Sequence, residues 1–368
     1  MPARTPSQDT QAWITGLGPV SALGCTPPAL WEGLLAGRSG TSAMRRFTPL
    51  PRQCAVAAHV ADLPFLEPDP LNPVPRAMVL ALAAASAAWA HAGLASTEHG
   101  LDPTRIGVAV GTGIGMADLT ERAAAVTAGP LSPLTAFRSF PHAITCELIR
   151  RFGAQGPHAT ISCGCNSGLD AIGTALDWIR LGKADLVLAG GTEAELTPAF
   201  WNAMSAARAL CTKWNHAPAH ASRPFDVDRG GNVPGEGAAF IVLESPAHAL
   251  KRGAHPIASI RGWSSTGAGA RPAYNPFDPV PDPQPLARTM ALALADAGLN
   301  PTSIGAVNAN GSSSVFYDPL ETLAIRRCFN DAPPPVHSIK GGLGQTGAVT
   351  PALQVIAAAL TLQHKRIP

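Results

Sequence analysis

Charge is sparse in this chain. Only 14% of its 368 residues are Asp, Glu, Lys or Arg, against roughly a quarter in an ordinary soluble domain. The 27 basic and 25 acidic residues leave a net charge of +2, too balanced for the basic face of a nucleic-acid binder. Long apolar runs are missing as well. No stretch reaches the ~20 residues of a membrane span, and the richest, Ala77–Ala92, is interrupted at His91. The opening MPARTPSQDTQA has no apolar core of the kind a secretory signal carries. Gly and Pro number 36 each without a triplet period, which excludes a collagen-like chain. Seven Cys, at 25, 54, 146, 163, 165, 211 and 328, cannot all pair, and Cys163-Gly164-Cys165 has no second Cys/His pair to complete a zinc site. Reduced thiols fit a soluble, cytoplasmic protein with no bound metal and no nucleic-acid or membrane partner.

What is present is apolar material in alternating blocks. Hydrophobic residues make up 46%, enough for a substantial core, and the length suits two domains or one large double unit. Short β-like runs are expected at Trp13–Leu17, Ile106–Val110, Ala159–Ser162, Leu186–Ala189 and Ala239–Leu243, then at Ile257–Gly262, Ala306–Asn308 and Val336–Ile339. Helices fall at Pro75–Ala92, Gly168–Leu181, Pro285–Ala297, Pro319–Cys328 and Pro351–Gln363. This is the α/β pattern. Glycines such as Gly16, Gly18, Gly190 and Gly191 are read as tight turns ending strands. The order of elements restarts after Pro256, a coarse duplication without a residue-level period. Two Pro-rich stretches, Pro64–Pro75 and Ala270–Pro285, read as surface loops.

The most informative segment is His158-Ala-Thr-Ile-Ser-Cys-Gly-Cys-Asn-Ser-Gly-Leu-Asp-Ala-Ile-Gly173. A β-run enters, Cys165 sits at a turn, and Ser167-Gly168 opens a helix, which is the geometry of a nucleophile elbow. The helix N-terminus is expected to lower the thiol pKa. The competing reading makes Cys165 a small buried residue.

These residues, with Ile14-Thr-Gly-Leu-Gly18, Trp31-Glu-Gly-Leu-Leu-Ala-Gly-Arg-Ser-Gly40, Arg105-Ile-Gly-Val-Ala-Val-Gly111, Leu188-Ala-Gly-Gly-Thr-Glu193 and Ser222-Arg-Pro-Phe-Asp-Val-Asp-Arg229, resemble the β-ketoacyl synthases. The resemblance spans essentially the whole chain. It implies a thiolase-like α/β fold, with two similar βαβ-type halves in a five-layer α-β-α-β-α arrangement. The halves are residues 1–245, carrying the elbow, and 246–368. The family continues a few dozen residues past Ile367-Pro368 with closing strands and an oxyanion loop, so the C-terminal half is expected to be short.

The resemblance also assigns the site. The nucleophile falls on Cys165, and Cys163 is read as strand packing. The first family histidine is replaced by Asn310, in Asn310-Gly-Ser-Ser-Ser314, and the second by Gln345, in Lys340-Gly-Gly-Leu-Gly-Gln345. Lys340 either organises the site electrostatically or is an exposed loop lysine. Asp318 and Glu321 either orient Lys340 or the Asn310 loop, or are surface acids. Gln354 stands where elongating relatives commonly carry Glu. His142 and His158 read as packing or loop residues, and Phe140 and Met204 as tunnel lining or core. Gly342-Leu-Gly-Gln-Thr-Gly347 fits a dinucleotide fingerprint, but no acidic residue follows at the required distance.

Asn and Gln donate hydrogen bonds but neither takes nor gives a proton near neutral pH. The implied function is therefore an elongation-impaired, chain-length-factor-type subunit of a ketosynthase heterodimer in fatty-acid or polyketide biosynthesis. The alternative is a non-elongating acyltransferase that loads Cys165, and a fully active synthase ranks below both. Either implies an acyl carrier protein whose phosphopantetheine arm brings the substrate, with no other cofactor. Pairing along Ala159–Ser162 is expected, with a complete ketosynthase or a second copy. The basic pairs Arg45–Arg46, Arg150–Arg151 and Lys365–Arg366 are read as solvated surface charge.

Overall fold

The computed structural model describes residues 11–61, 63, 74–94, 101–115, 133–269 and 282–368. Most of the two Pro-rich stretches, 64–73 and 270–281, therefore lies outside the described residues. In chain order the elements begin with β1 (Ala12–Val20), α1 (Pro27–Leu35), β2 (Thr41–Ala43), β3 (Val56–Ala58) and α2 (Arg76–His91). Next come β4 (Ile106–Gly111), α3 (Pro133–Arg138), α4 (His142–Phe152), β5 (His158–Ile161) and α5 (Ser167–Arg180). They are followed by β6 (Leu186–Ala194), α6 (Pro198–Ala206), β7 (Glu236–Glu244), α7 (Pro246–Lys251) and β8 (Ala258–Ile260). The chain closes with α8 (Gln284–Asp296), β9 (Val307–Asn308), α9 (Tyr317–Cys328), β10 (Val336–His337), α10 (Lys340–Leu343) and α11 (Thr350–His364).

The main sheet has the order β5-β4-β6-β7-β1-β8. β4 runs parallel to β5 and β6, whereas β6–β7, β7–β1 and β1–β8 are antiparallel. Its central strands are near-continuous apolar runs because both faces are covered. Val108, Val110, Leu188, Phe240 and Val242 face a cluster built with α2 and α4. The alternate residues Ala109, Ala189, Ile241 and Leu243 pack with α5 and α11 on the other side. Beyond α11 lies the parallel pair β9–β10, which Gln354 of α11 joins by donating to the carbonyls of Asn308 and Ala309. α8 and α9 cover it, with Ala309, Ile325, Phe329 and Met290 in one cluster. The layers are thus α, large sheet, α, small sheet, α, the thiolase-like arrangement. Among the described residues no helix is long and apolar enough to cross a membrane.

Three expectations change. β8 does not start a second sheet; it pairs antiparallel with the outer edge of β1, Ala12 opposite Ile260. The glycines read as strand ends lie inside strands. A Cβ on Gly18 would sit 1.9 Å from the Ala84 carbonyl oxygen of α2, and one on Gly190 would sit 2.0 Å from that of Ala239. Close backbone approach, not turning, requires glycine there. Finally, Arg46 is not free surface charge. It joins Arg76 on the buried carboxylate of Glu236, at 2.7 and 2.6 Å.

Because β1 and α2 meet backbone to backbone, Gly18→Ala should destabilise the fold by about 1–3 kcal/mol through overpacking. Gly305→Ala, where the added Cβ meets nothing within 4 Å, serves as control. Denaturant midpoints decide, and equal midpoints for the two variants would contradict this packing.

Candidate active site

Cys165 lies on a tight turn between β5 and α5. Gly164 holds φ at +74°, in the left-handed region that favours glycine. Ser167, fully buried, staples the turn: its Oγ donates to the Gly164 carbonyl at 2.6 Å and accepts from the Cys163 amide at 3.0 Å. Cys165 is exposed on this turn. Cys163 is neither in the strand, which ends at Ile161, nor packed in the core. It is exposed, its thiol donates to Asp170 Oδ2 at 2.6 Å, and partial burial together with that carboxylate pushes it up to about 11.

A second loop approaches from the small sheet. Asn310 follows β9, and the first turns of α9 hold its backbone. Glu321 accepts from the amides of Asn310 and Gly311, both at 2.7 Å, while Asp318 accepts from Ser312 and Phe225 at 3.0 and 2.8 Å. The two carboxylates are thus engaged by backbone amides of the Asn310 loop and of Phe225 and are not free surface charges. Gln354 braces the same loop from behind through the Ala309 carbonyl at 2.7 Å. Lys340 is 1% exposed, not a loop lysine, and its Nζ donates to Asn310 Oδ1 at 2.5 Å. Burial carries its ammonium down to about 8, against the opposing pull of Cys165, Glu321, Asp318 and Glu195.

Gln345 completes the set. Its amide donates to the Val233 carbonyl at 2.7 Å and its carbonyl accepts from Gly235 at 2.8 Å, fixing the turn after α10. Its side chain lies near enough to the Cys165 thiol to help lower its pKa. The glycine-rich segment 342–347 thus spans the end of α10 and this turn. Among the described residues no group of three or more His, Cys, Asp or Glu could hold a metal ion. Phe140 is 54% exposed, and Met204 packs against the Trp201 cluster.

The thiol pKa departs from expectation. Although Cys165 is exposed as a residue, its surroundings burden the thiolate: burial raises its pKa first, then Glu195 and Glu193, while Lys340 and the Gln345 side chain lower it. The helix N-terminus does not win. Glu193 and Glu195, at the end of β6, are 1% and 6% exposed and were missed from the sequence. Their signal was two acids at strand spacing, on one face of an otherwise apolar run.

Lys340 gives a pH signature. Its pKa falls from 10.5 to about 8 on folding, so between these values the native chain holds fewer protons than the unfolded one. Stability therefore rises with pH across that window, by on the order of 3 kcal/mol from this group. Lys340→Met should flatten the rise in denaturant-unfolding free energy from pH 8 to 10.5. Equal slopes in both proteins would contradict the burial of this cation.

Comparison with known proteins agrees with this geometry. Residues 11–249 match the family described as Beta-ketoacyl synthase, N-terminal domain, and residues 257–368 its C-terminal domain. A putative polyketide beta-ketoacyl synthase 1 of Streptomyces cyaneus is 33% identical over 371 residues, covering 96% of this chain and 86% of the relative. The 3-oxoacyl-[acyl-carrier-protein] synthase 2 of Coxiella burnetii is 35% identical with the same coverage. Among solved structures, the ishigamide ketosynthase/chain length factor superimposes with a TM-score of 0.84 at 32% identity, over 97% of this chain and 87% of that one. A type II PKS acyl-carrier protein in complex with its ketosynthase bound to the hexaketide gives 0.85 at 29%, over 96% and 86%. The chain belongs to the β-ketoacyl synthase family of polyketide and fatty-acid biosynthesis.

Proposed function

We propose that this chain is an elongation-impaired ketosynthase-family subunit of the chain-length-factor type, working beside a complete ketosynthase on acyl groups brought by an acyl carrier protein. The observation that carries the reading is the chemistry at Asn310 and Gln345. One carboxamide is held by Lys340 and the other helps lower the pKa of the Cys165 thiol. In this reading they occupy the positions of two imidazoles. Condensation needs a decarboxylation whose enolate is stabilised by donors, and protons moved by groups titrating near neutral pH. Amides supply the first and not the second.

Partnering has support on two sides. β5 is an edge strand of the main sheet with residues half-buried or exposed, an arrangement that invites a second chain. A structural neighbour is a ketosynthase/chain length factor, and another pairs a ketosynthase with its acyl-carrier protein. The phosphopantetheine arm of such a carrier is the cofactor this reading requires. The division into halves at 245/246 and the roles of Asp318 and Glu321 as loop anchors belong to the same proposal.

A second reading is favoured by Cys165 itself. The thiol is retained on an exposed residue, and Lys340 and the Gln345 side chain both act to lower its pKa. Acyl transfer onto this thiol, without elongation, asks less of the site than condensation.

Mass spectrometry of the chain mixed with acyl and malonyl carriers tests both. The chain alone should give no β-ketoacyl product, and adding a competent ketosynthase should yield products of altered length. Asn310→His combined with Gln345→His should raise condensation by at least ~100-fold, the lower end of general acid–base contributions. An acyl adduct on Cys165 without elongation selects the second reading. Rapid β-ketoacyl formation by the native chain alone overturns the elongation-impaired assignment.

A further inference from the structure

Helix α2 is apolar on two sides. One side, with Leu80, Ala81, Ala84 and Ala88, is fully buried in the cluster that covers the main sheet. The other carries Val79, Leu82, Ala83, Ser86 and Ala87, the i, i+3, i+4, i+7, i+8 spacing of a single helix stripe. A helix that is apolar all round belongs inside a core, yet these five residues are only half-buried. They form one wall of a cavity of about 610 Å³, a volume within the ~300–1,000 Å³ of small-molecule sites.

The charged wall comes from α4. Glu147, Arg150 and Arg151 stand at i, i+3 and i+4, so all three project from one face of that helix and line the same cavity. Arg150 is taken up by Glu147: its Nε and Nη2 donate to the carboxylate at 3.0 and 2.5 Å, and the pair carries no net charge. Arg151 is exposed, and among the described residues it makes no hydrogen bond or ion pair. Val20, Cys25 and Leu63 also line the cavity, whereas Cys165, Asn310, Lys340 and Gln345 do not. Apolar walls and one uncompensated cation thus meet in a space separate from the thiol site.

We propose that this cavity between α2 and α4 is a second ligand site, which binds a free long-chain carboxylate. The inference does not rest on the function proposed above. The alkyl chain lies along the α2 stripe, where Val79, Leu82, Ala83 and Ala87 remove it from water. The carboxylate meets the Arg151 guanidinium, whose planar fork matches two carboxylate oxygens. Net charge selects the head group, because Glu147 already neutralises Arg150 and one cation remains for one anion. A nucleotide or other highly polar ligand finds no donors along the apolar wall and pays for its own desolvation. An acyl group still joined to a carrier presents an uncharged thioester in place of the carboxylate. The site therefore discriminates a released acyl acid from the carrier-bound form.

The test uses the full chain with dodecanoate as probe and dodecanol as its uncharged counterpart, below their aggregation limits. Calorimetry reads affinity, and N-ethylmaleimide labelling followed by peptide mass reads location through Cys25, which lines the cavity. Dodecanoate should bind one per chain and slow labelling of Cys25 while leaving Cys163 and Cys165 unchanged. Arg151→Gln, at an exposed position that does not threaten folding, should weaken dodecanoate by about tenfold or more, the worth of one charge-assisted contact. Arg151→Lys should restore part of that loss, and dodecanol should bind the native and Arg151→Gln chains equally. Leu82→Trp should block both probes by filling the space. Non-saturable uptake, or protection of Cys165 in place of Cys25, overturns the inference. So does equal dodecanoate affinity in the native and Arg151→Gln chains, because the cation would then play no part.

Discussion

Burying an ammonium group is costly unless acceptors and opposite charge surround it. Lys340 meets that demand from three directions. Asn310 accepts its hydrogen bond, Glu321 and Asp318 on α9 supply negative charge, and Glu195 and the Cys165 thiol face it from the main sheet and elbow. Each of these groups comes from a different part of the chain, so the lysine can be buried only when the small sheet, α9, β6 and the elbow are all in place. One cation thereby couples the two halves of the fold and holds the carboxamide of Asn310.

The scaffold makes this convergence possible by removing freedom elsewhere. With both faces of the main sheet covered, a one-residue slip of β6 would send Val187 and Ala189 to the wrong layer and turn Glu193 out of the site. Backbone contacts lock the same geometry. A Cβ on Gly111 would lie 2.2 Å from the Ser167 carbonyl carbon, so β4 presses directly on the first residue of α5 and fixes the height of the elbow.

Much of this was legible in the chain, and what was not has a traceable cause. The elbow around Cys165 carries local signals, a β-run, a turn glycine and a helix start, and the strands from β4 to β7 announce themselves as apolar runs. Reading Gly190-Gly191 as a strand end hid the rest of β6. Those glycines in fact let β6 approach the backbones at Ala239 and Ala348. The strand continues through Ala194 and delivers Glu193 and Glu195 to the site. The same omission explains the misjudged thiol. A local rule about helix termini lost first to burial of the thiol and then to two buried carboxylates distant in sequence. Cys163 was misplaced because pairing in β5 stops at Ile161, a boundary that hydrogen bonding to β4 sets.

The site that results is rich in acids, amides and one cation. Asn310 and Gln345, whose side chains are amides, cannot move protons near neutral pH. Everything in that account depends on Lys340 being enclosed and bonded to Asn310. Titrating Lys340 by NMR in the full-length chain, with the resonance assigned through Lys340→Met, tests this most directly. The account predicts a midpoint of about 8, displaced when Asn310 or Cys165 is substituted. A midpoint at the ordinary 10.5, indifferent to both substitutions, would contradict it.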